Sequence, residues 1–257
     1  MKTVCGLERY TWVILLATFA LLLSKWPASA QFLPQPSDPS LFDNVIDVPA
    51  GSILVDNFTI GSSTQLNLSG GIIGENFGIG VDGGPNNNIE VNINSGNVGQ
   101  NITANTGTVV NIGGGSFGFR FFANAGSTVN ISGGVFGPIF LADSGSEINL
   151  FGTDFLLTEV ELTTSGFVIT ETPITGVIGE TITINTRSRV GITTSLSGTL
   201  ADGKAFDFGL SPQISPNIAD FFAEDALLTV TLVPEPGAML TAVILALGGA
   251  LRRRRRA

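Results

Sequence analysis

The sequence predicts an all-β protein built as a parallel β-helix, a solenoid with coils of about 19 residues, followed by additional β-strands as a cap. Three observations predict it. Apolar-Asn-apolar triplets recur in phase through the middle of the chain. Glycines punctuate the segments between them. The second half is rich in Thr and β-branched residues. With 257 residues, 43% of them hydrophobic, the chain is long enough for one good-sized domain or two small ones, and its 33 Gly suit turns better than helices. The alternative is an antiparallel β-sandwich, because turn signals also recur at hairpin intervals.

Residues 31–44, with Pro34, Pro36 and Pro39, read as an extended leader. The repeat region covers 45–156. Its opening runs, Ile53-Leu54-Val55 and Phe58-Thr59-Ile60, suit an imperfect starting coil or cap. Five triplets then align on Asn67, Asn92, Asn111, Asn130 and Asn149, spaced 25, 19, 19 and 19 residues apart. A polar insertion around Asp82–Asn88 accounts for the longer first interval. Six residues beyond each Asn stands an apolar residue: Ile73, Val98, Phe117, Phe136, Phe155. Ten beyond come Phe77, Ile102, Phe121 and Phe140, and the pattern then fails at Glu159.

A strand alternates its side chains, so Val110 and Ile112 share one face and Asn111 takes the other. No 19-residue unit buries its apolar side alone; stacked units set Val on Val and Phe on Phe. The asparagine row has two readings. One is a ladder in which each amide bonds the amide above; the other is a ligand face presenting amides to sugar hydroxyls.

Residues 157–232 form a β-rich C-terminal region. Strands are expected at Phe167–Thr170, Thr181–Ile184, Val190–Thr193 and Leu228–Leu232, with a hairpin through Asp202-Gly203 into Ala205–Phe208. Pro212 and Pro216 mark a loop, and Ile218 to Leu227 suits a short helical turn.

The chain has no His, and its one cysteine, Cys5, lies in a segment expected to be removed. Triads, dyads and zinc sites that need His or Cys are therefore excluded. No catalytic, metal or cofactor-binding residue is assigned. The acids of the repeats (Glu75, Asp82, Glu90, Asp143, Glu147, Asp154) show no paired spacing, although stacking brings Glu90 and Glu147 into related rows. The segment Gly78–Gly83 offers a single Gly-Asp turn, where a calcium shell needs stacked copies. Residues 31–232 carry 19 acidic and four basic side chains, a formal charge of −15, which repels nucleic acid and anionic lipid.

Both ends read as addresses. Residues 1–30 have a basic start, an apolar run from Thr11 to Leu23, and Ala28 and Ala30 placed for signal-peptidase cleavage; an uncleaved anchor is the other reading. At the other end, Val233-Pro234-Glu235-Pro236-Gly237 precedes an apolar run from Ala238 to Leu251 and a positive stop of Arg252, Arg253, Arg254, Arg255 and Arg256. A plain tail anchor would share the last two features. The three together, in order over residues 233–257, resemble the PEP-CTERM sorting signal of exported bacterial proteins. The resemblance implies export, temporary retention by the tail, processing near the Pro-Glu-Pro by an exosortase-type enzyme, and a Gram-negative-type envelope.

The sequence thus leads to an exported, envelope-associated structural or adhesive matrix protein that is not an enzyme. Its expected partners are the membrane through the C-terminal segment, the export and exosortase-type processing machinery, and extracellular polysaccharide as a candidate, but no nucleic acid. It would be an inner-membrane intermediate first and then a cell-surface or extracellular protein. The alternative is a polysaccharide-active β-helix enzyme or carbohydrate-binding module.

Overall fold

A computed structural model describes residues 32–84, 86–186, 192–210 and 220–235. Among them the chain is all-β with mostly parallel pairing, and its one helical element is a 3-10 turn at Pro39–Leu41.

Each repeat unit contributes one long and one short strand. The long strands Thr64–Ile73, Ile89–Val98, Thr108–Phe117, Thr128–Val135 and Glu147–Thr163 lie side by side in that order, all parallel. Their register sets Asn67 beside Asn92, then Asn111, Asn130 and Asn149. The short strands Thr59–Ile60, Gly78–Ile79, Ile102–Ala104, Phe121–Ala123 and Phe140–Ala142 form a second parallel sheet in the same order. The repeats therefore pair in parallel, not as the hairpins a sandwich would use.

Burial follows the alternation. Leu66, Leu68, Val91, Ile93, Val110, Ile112, Val129, Ile131, Ile148 and Leu150 are all fully buried and form the core with the phenylalanines. Burying each such side chain is worth roughly 1.5–3 kcal/mol. Phe121 stacks on Phe140 with centroids 5.0 Å apart, and Phe117 on Phe136 at 4.8 Å. Both distances match the strand spacing of about 4.8 Å, so identical side chains one unit apart meet face to face. Close stacking also explains the glycine column at Gly74, Gly99, Gly118 and Gly137: a Cβ on Gly118 would lie 2.9 Å from the carbonyl of Gly99.

The stack runs beyond the five units at both ends. Asn44–Pro49 pairs in parallel with Thr64–Gly70, which sets Asp47 opposite Asn67. Leu227–Leu232 pairs in parallel with Glu147–Gly152, which sets Thr229 opposite Asn149. The described residues between Leu156 and Asp220 make an antiparallel insertion. The strand Glu147–Thr163 continues past the stack and is flanked by Gly166–Pro173 and Ile192–Leu200. The hairpin through Asp202-Gly203, with Gly203 at φ +86°, leads to Ala205–Gly209. Thr181–Ile184 runs antiparallel along the outer edge of Leu227–Leu232.

One expectation is corrected. The segment Ile218–Leu227 does not hold a helical turn in its described part: Phe221–Phe222 is a strand paired with Leu141–Ala142. Phe222 is fully buried and stacks on Phe140 at 5.7 Å. The ladder bonds and aromatic burial available to an extended segment outweigh its weak helical pattern. Pro212, Pro216 and Val190 lie outside the described residues.

Candidate functional site

The asparagine row is a continuous hydrogen-bonded ladder. Asn92 Nδ2 donates to Asn67 Oδ1 (3.0 Å), Asn111 Nδ2 to Asn92 Oδ1 (2.9 Å), Asn130 Nδ2 to Asn111 Oδ1 (2.8 Å) and Asn149 Nδ2 to Asn130 Oδ1 (3.0 Å). Every amide donates toward the N-terminal end and accepts from the C-terminal side. The ends fit this polarity. Asp47 Oδ1 accepts from Asn67 Nδ2 at 3.0 Å, and Thr229 Oγ1 donates to Asn149 Oδ1 at 2.6 Å. Asp47 and Thr229 do not stand out when only asparagines are aligned. The signal that finds them is the triplet itself, Ile46-Asp47-Val48 and Leu228-Thr229-Val230, with the central residue free to vary.

The second hydrogen of each amide separates the rungs. Asn92 Nδ2 also donates to Glu90 Oε1 (2.7 Å), and Asn149 Nδ2 to Glu147 Oε1 (2.9 Å). Beside Asn111 and Asn130 the equivalent positions are Val109 and Thr128, so those two amides keep a hydrogen directed away from the ladder.

Glu90 is only 5% exposed and pins the leader across this face. It accepts from Ser37 N (3.0 Å), Ser37 Oγ (2.5 Å), Gln65 Nε2 (3.1 Å) and Asn92 Nδ2. Gln65 Nε2 in turn donates to the Ser37 carbonyl at 2.9 Å. Opposite the leader, Asp202 on the inserted hairpin accepts from Gly134 N at 2.8 Å. Leader and hairpin wall a cleft of about 300 Å³ floored by Asn92, Asn94, Asn111, Gly113 and Ser132.

The remaining candidates do not converge. Glu90 and Glu147 occupy the same position in their units but stand three strand spacings apart, about 14 Å. That exceeds the 5–9.5 Å that glycoside hydrolysis requires, and each carboxylate is engaged with its own asparagine. The Val81 turn is clasped by Asn86, which accepts from Val81 N and donates to its carbonyl. Among the described residues no group of three or more acidic, His or Cys side chains is placed to hold a metal ion.

Two further amide columns escaped the sequence reading. Asn101 donates to Asn76, and Asn76 to Asn57, each at 3.0 Å. All three have φ near +60°, a left-handed conformation that Asn tolerates better than most residues, and they turn the corner between the sheets. Asn124 donates to Asn105 at 2.8 Å. The signal is again spacing, nine residues beyond Asn67 and Asn92 for the first column. A second cleft of about 230 Å³, lined by Phe136, Phe206, Phe208 and Asp220, separates the inserted hairpin from the stack. Asp220 accepts from Phe140 N and Gly209 N, joining the two, and burial pushes its carboxyl above the usual carboxylate range.

Of the C-terminal motif, Val233 is buried and donates from its backbone to Gly152 O at 3.0 Å, while Glu235 is exposed. Ala28, Ala30, Pro236, Gly237 and the five terminal arginines lie outside the described residues. Comparison with protein-family models, curated proteins and solved structures finds no match.

Proposed function

We propose that the body is a parallel β-helix with one coil per repeat unit, and that the protein is an exported, envelope-associated structural or adhesive matrix component without catalytic activity. In this reading the C-terminal segment holds the chain at the membrane until an exosortase-type enzyme processes it near Val233-Pro234-Glu235-Pro236-Gly237.

The observation that carries the structural reading is the unbroken run of six side-chain hydrogen bonds from Asp47 to Thr229. The polar row is spent on holding units to one another, as a load-resisting filament module requires. The sorting reading rests on the sequence of the ends and on Glu235, which is exposed at the end of the described residues. A second reading, a carbohydrate-binding module, is favoured by the cleft over Asn111, whose spare amide hydrogen and the exposed Asn94 suit neutral, hydroxyl-rich ligands.

Fractionation of producing cells with intact-mass measurement tests the sorting reading. Surface or medium material ending near residues 233–237 is expected. Full-length chain retained in the inner membrane overturns it. Deleting one 19-residue unit, 109–127, tests the β-helix: a shortened chain keeping strand-type circular dichroism is expected, and an unfolded one counts against stacked equivalent coils.

A further inference from the structure

The two ends of the described chain meet. The Phe32 ring packs against Gly179 so closely that a Cβ there would lie 2.4 Å from Phe32 Cε1. Gly179 N donates to Leu232 O at 2.7 Å, and Leu232 N to Glu180 O at 3.1 Å. Val233, the next residue, bonds Gly152. The leader starts at this last layer and runs the length of the asparagine face. It passes over the cleft at Leu33–Pro36, is clasped at Ser37 by Glu90, receives Asn88 Nδ2 at the Leu41 carbonyl, and enters the first layer at Asn44. The described chain therefore begins at Phe32 and ends just past Val233 on either side of one turn, and the apolar runs of the sequence, Thr11–Leu23 and Ala238–Leu251, precede the first and follow the second.

Between these two points lies a tight turn. Glu180 N donates to Val177 O and Val177 N to Glu180 Oε2, both at 2.9 Å. The closed turn holds Val177 at 71% and Ile178 at 59% exposure, two adjacent bulky apolar side chains facing outward. Water disfavours that surface, and the turn's own hydrogen bonds fix it there.

We infer that the Val177–Glu180 turn is a lipid-contacting surface: in the anchored chain Val177 and Ile178 rest in the interface of the bilayer that receives the apolar end segment. The partner is a zwitterionic phospholipid surface, because Glu180 and Glu235 at the same pole and the acidic body oppose anionic head groups. The inference rests on the reading of residues 238–251 as a membrane segment. It adds that the body is oriented, with the last layer at the membrane and Asp47 about 29 Å farther out along the stack.

The test uses the full chain with Cys5→Ser, reconstituted into phosphatidylcholine vesicles. A polarity-sensitive dye is attached to Val177→Cys or, as control, to Val55→Cys in the first layer, which is 70% exposed. Both positions face solvent, so neither change disturbs the core. Co-flotation with the vesicles reports anchoring, and dye emission and quenching by lipid-borne quenchers report the contact. Expected are co-flotation of both, a blue shift with quenching at residue 177 alone, and a weaker shift when anionic lipid is added. A floating chain whose 177 dye stays as water-like as the 55 dye overturns the inference and leaves the anchor reading standing. Equal immersion at both positions overturns the orientation and with it the inference. A chain that does not float overturns the anchor reading and this inference together.

Discussion

Replacing Asn111 by alanine removes the central rung of the ladder. Two hydrogen bonds are lost, the one Asn111 Nδ2 donates to Asn92 Oδ1 and the one its Oδ1 accepts from Asn130 Nδ2. Each contributes about 0.5–1.5 kcal/mol net. Asn92 is 1% exposed, so its oxygen loses its donor in a nearly enclosed position at the cleft floor, whereas half-buried Asn130 turns to solvent. The orphaned oxygen overlaps in part with the lost bonds, giving a total of about 2–4 kcal/mol. Guanidinium unfolding of residues 31–235, followed by circular dichroism, reads it as a lower midpoint at unchanged slope. Asn97→Ala, exposed and outside the row, is the control and stays within about 0.5 kcal/mol. Asn111→Asp keeps the acceptor for Asn130 but sets a carboxylate oxygen against Asn92 Oδ1. It therefore costs more than alanine at neutral pH and recovers stability on acidification. The reasoning fails if Asn111→Ala shifts the midpoint no further than Asn97→Ala.

Gly118→Ala forces a Cβ against the Gly99 carbonyl and lowers stability by about 1–3 kcal/mol, whereas Gly61→Ala, with nothing within 4 Å, leaves the thermal midpoint unchanged. Glu90→Gln puts a donor where four donors converge on an acceptor; amide exchange at Ser37 rises while that at Ile112, deep in the stack, stays slow. Asp220, whose folded carboxyl is raised by burial, binds more protons folded than unfolded. Its contribution is thus largest below the ordinary value of 3.8 and declines as pH climbs through the raised folded value, so the stability gap between wild type and Asp220→Ala narrows over that rise in pH-dependent denaturation.

The all-β class and the parallel pairing of the repeats were legible because a period of 19 and an alternation of 2 constrain the chain together. The period sets like residues one layer apart, and the alternation sends Val110 and Ile112 inward. The resumption at Phe221 was hidden because 80 residues separate Asn149 from Thr229, far outside the period. Within the insertion the hairpin through Asp202-Gly203 was legible from its turn, but the pairing of its strands with the stack was not, since an antiparallel neighbour and a stacked one share the same β-branched composition; which neighbour Ile192–Leu200 takes depends on the continuation of Glu147–Thr163 beyond the stack. The Ser37–Glu90 clasp spans 53 residues between a proline-rich leader and one acidic residue, and neither is periodic.

A ladder whose amides all donate in one direction has two chemically different ends, and the sequence treats them differently. At the donor-facing end another asparagine would leave its own hydrogen unspent; Asp47 has none to spend and accepts from Asn67. Its charge sits on Asn44–Pro49, whose outer edge no described strand pairs with, and Pro49 removes one donor from that edge. Charge and proline are what keep an open edge from recruiting another chain. At the opposite end Thr229 satisfies Asn149 with a single hydroxyl, and the strand beyond is covered by Thr181–Ile184, where Thr181 and Thr231 hydroxyls meet at 2.8 Å. One end is stopped by repulsion and the other by cover. Both devices oppose the templated extension to which a periodic sequence is otherwise prone.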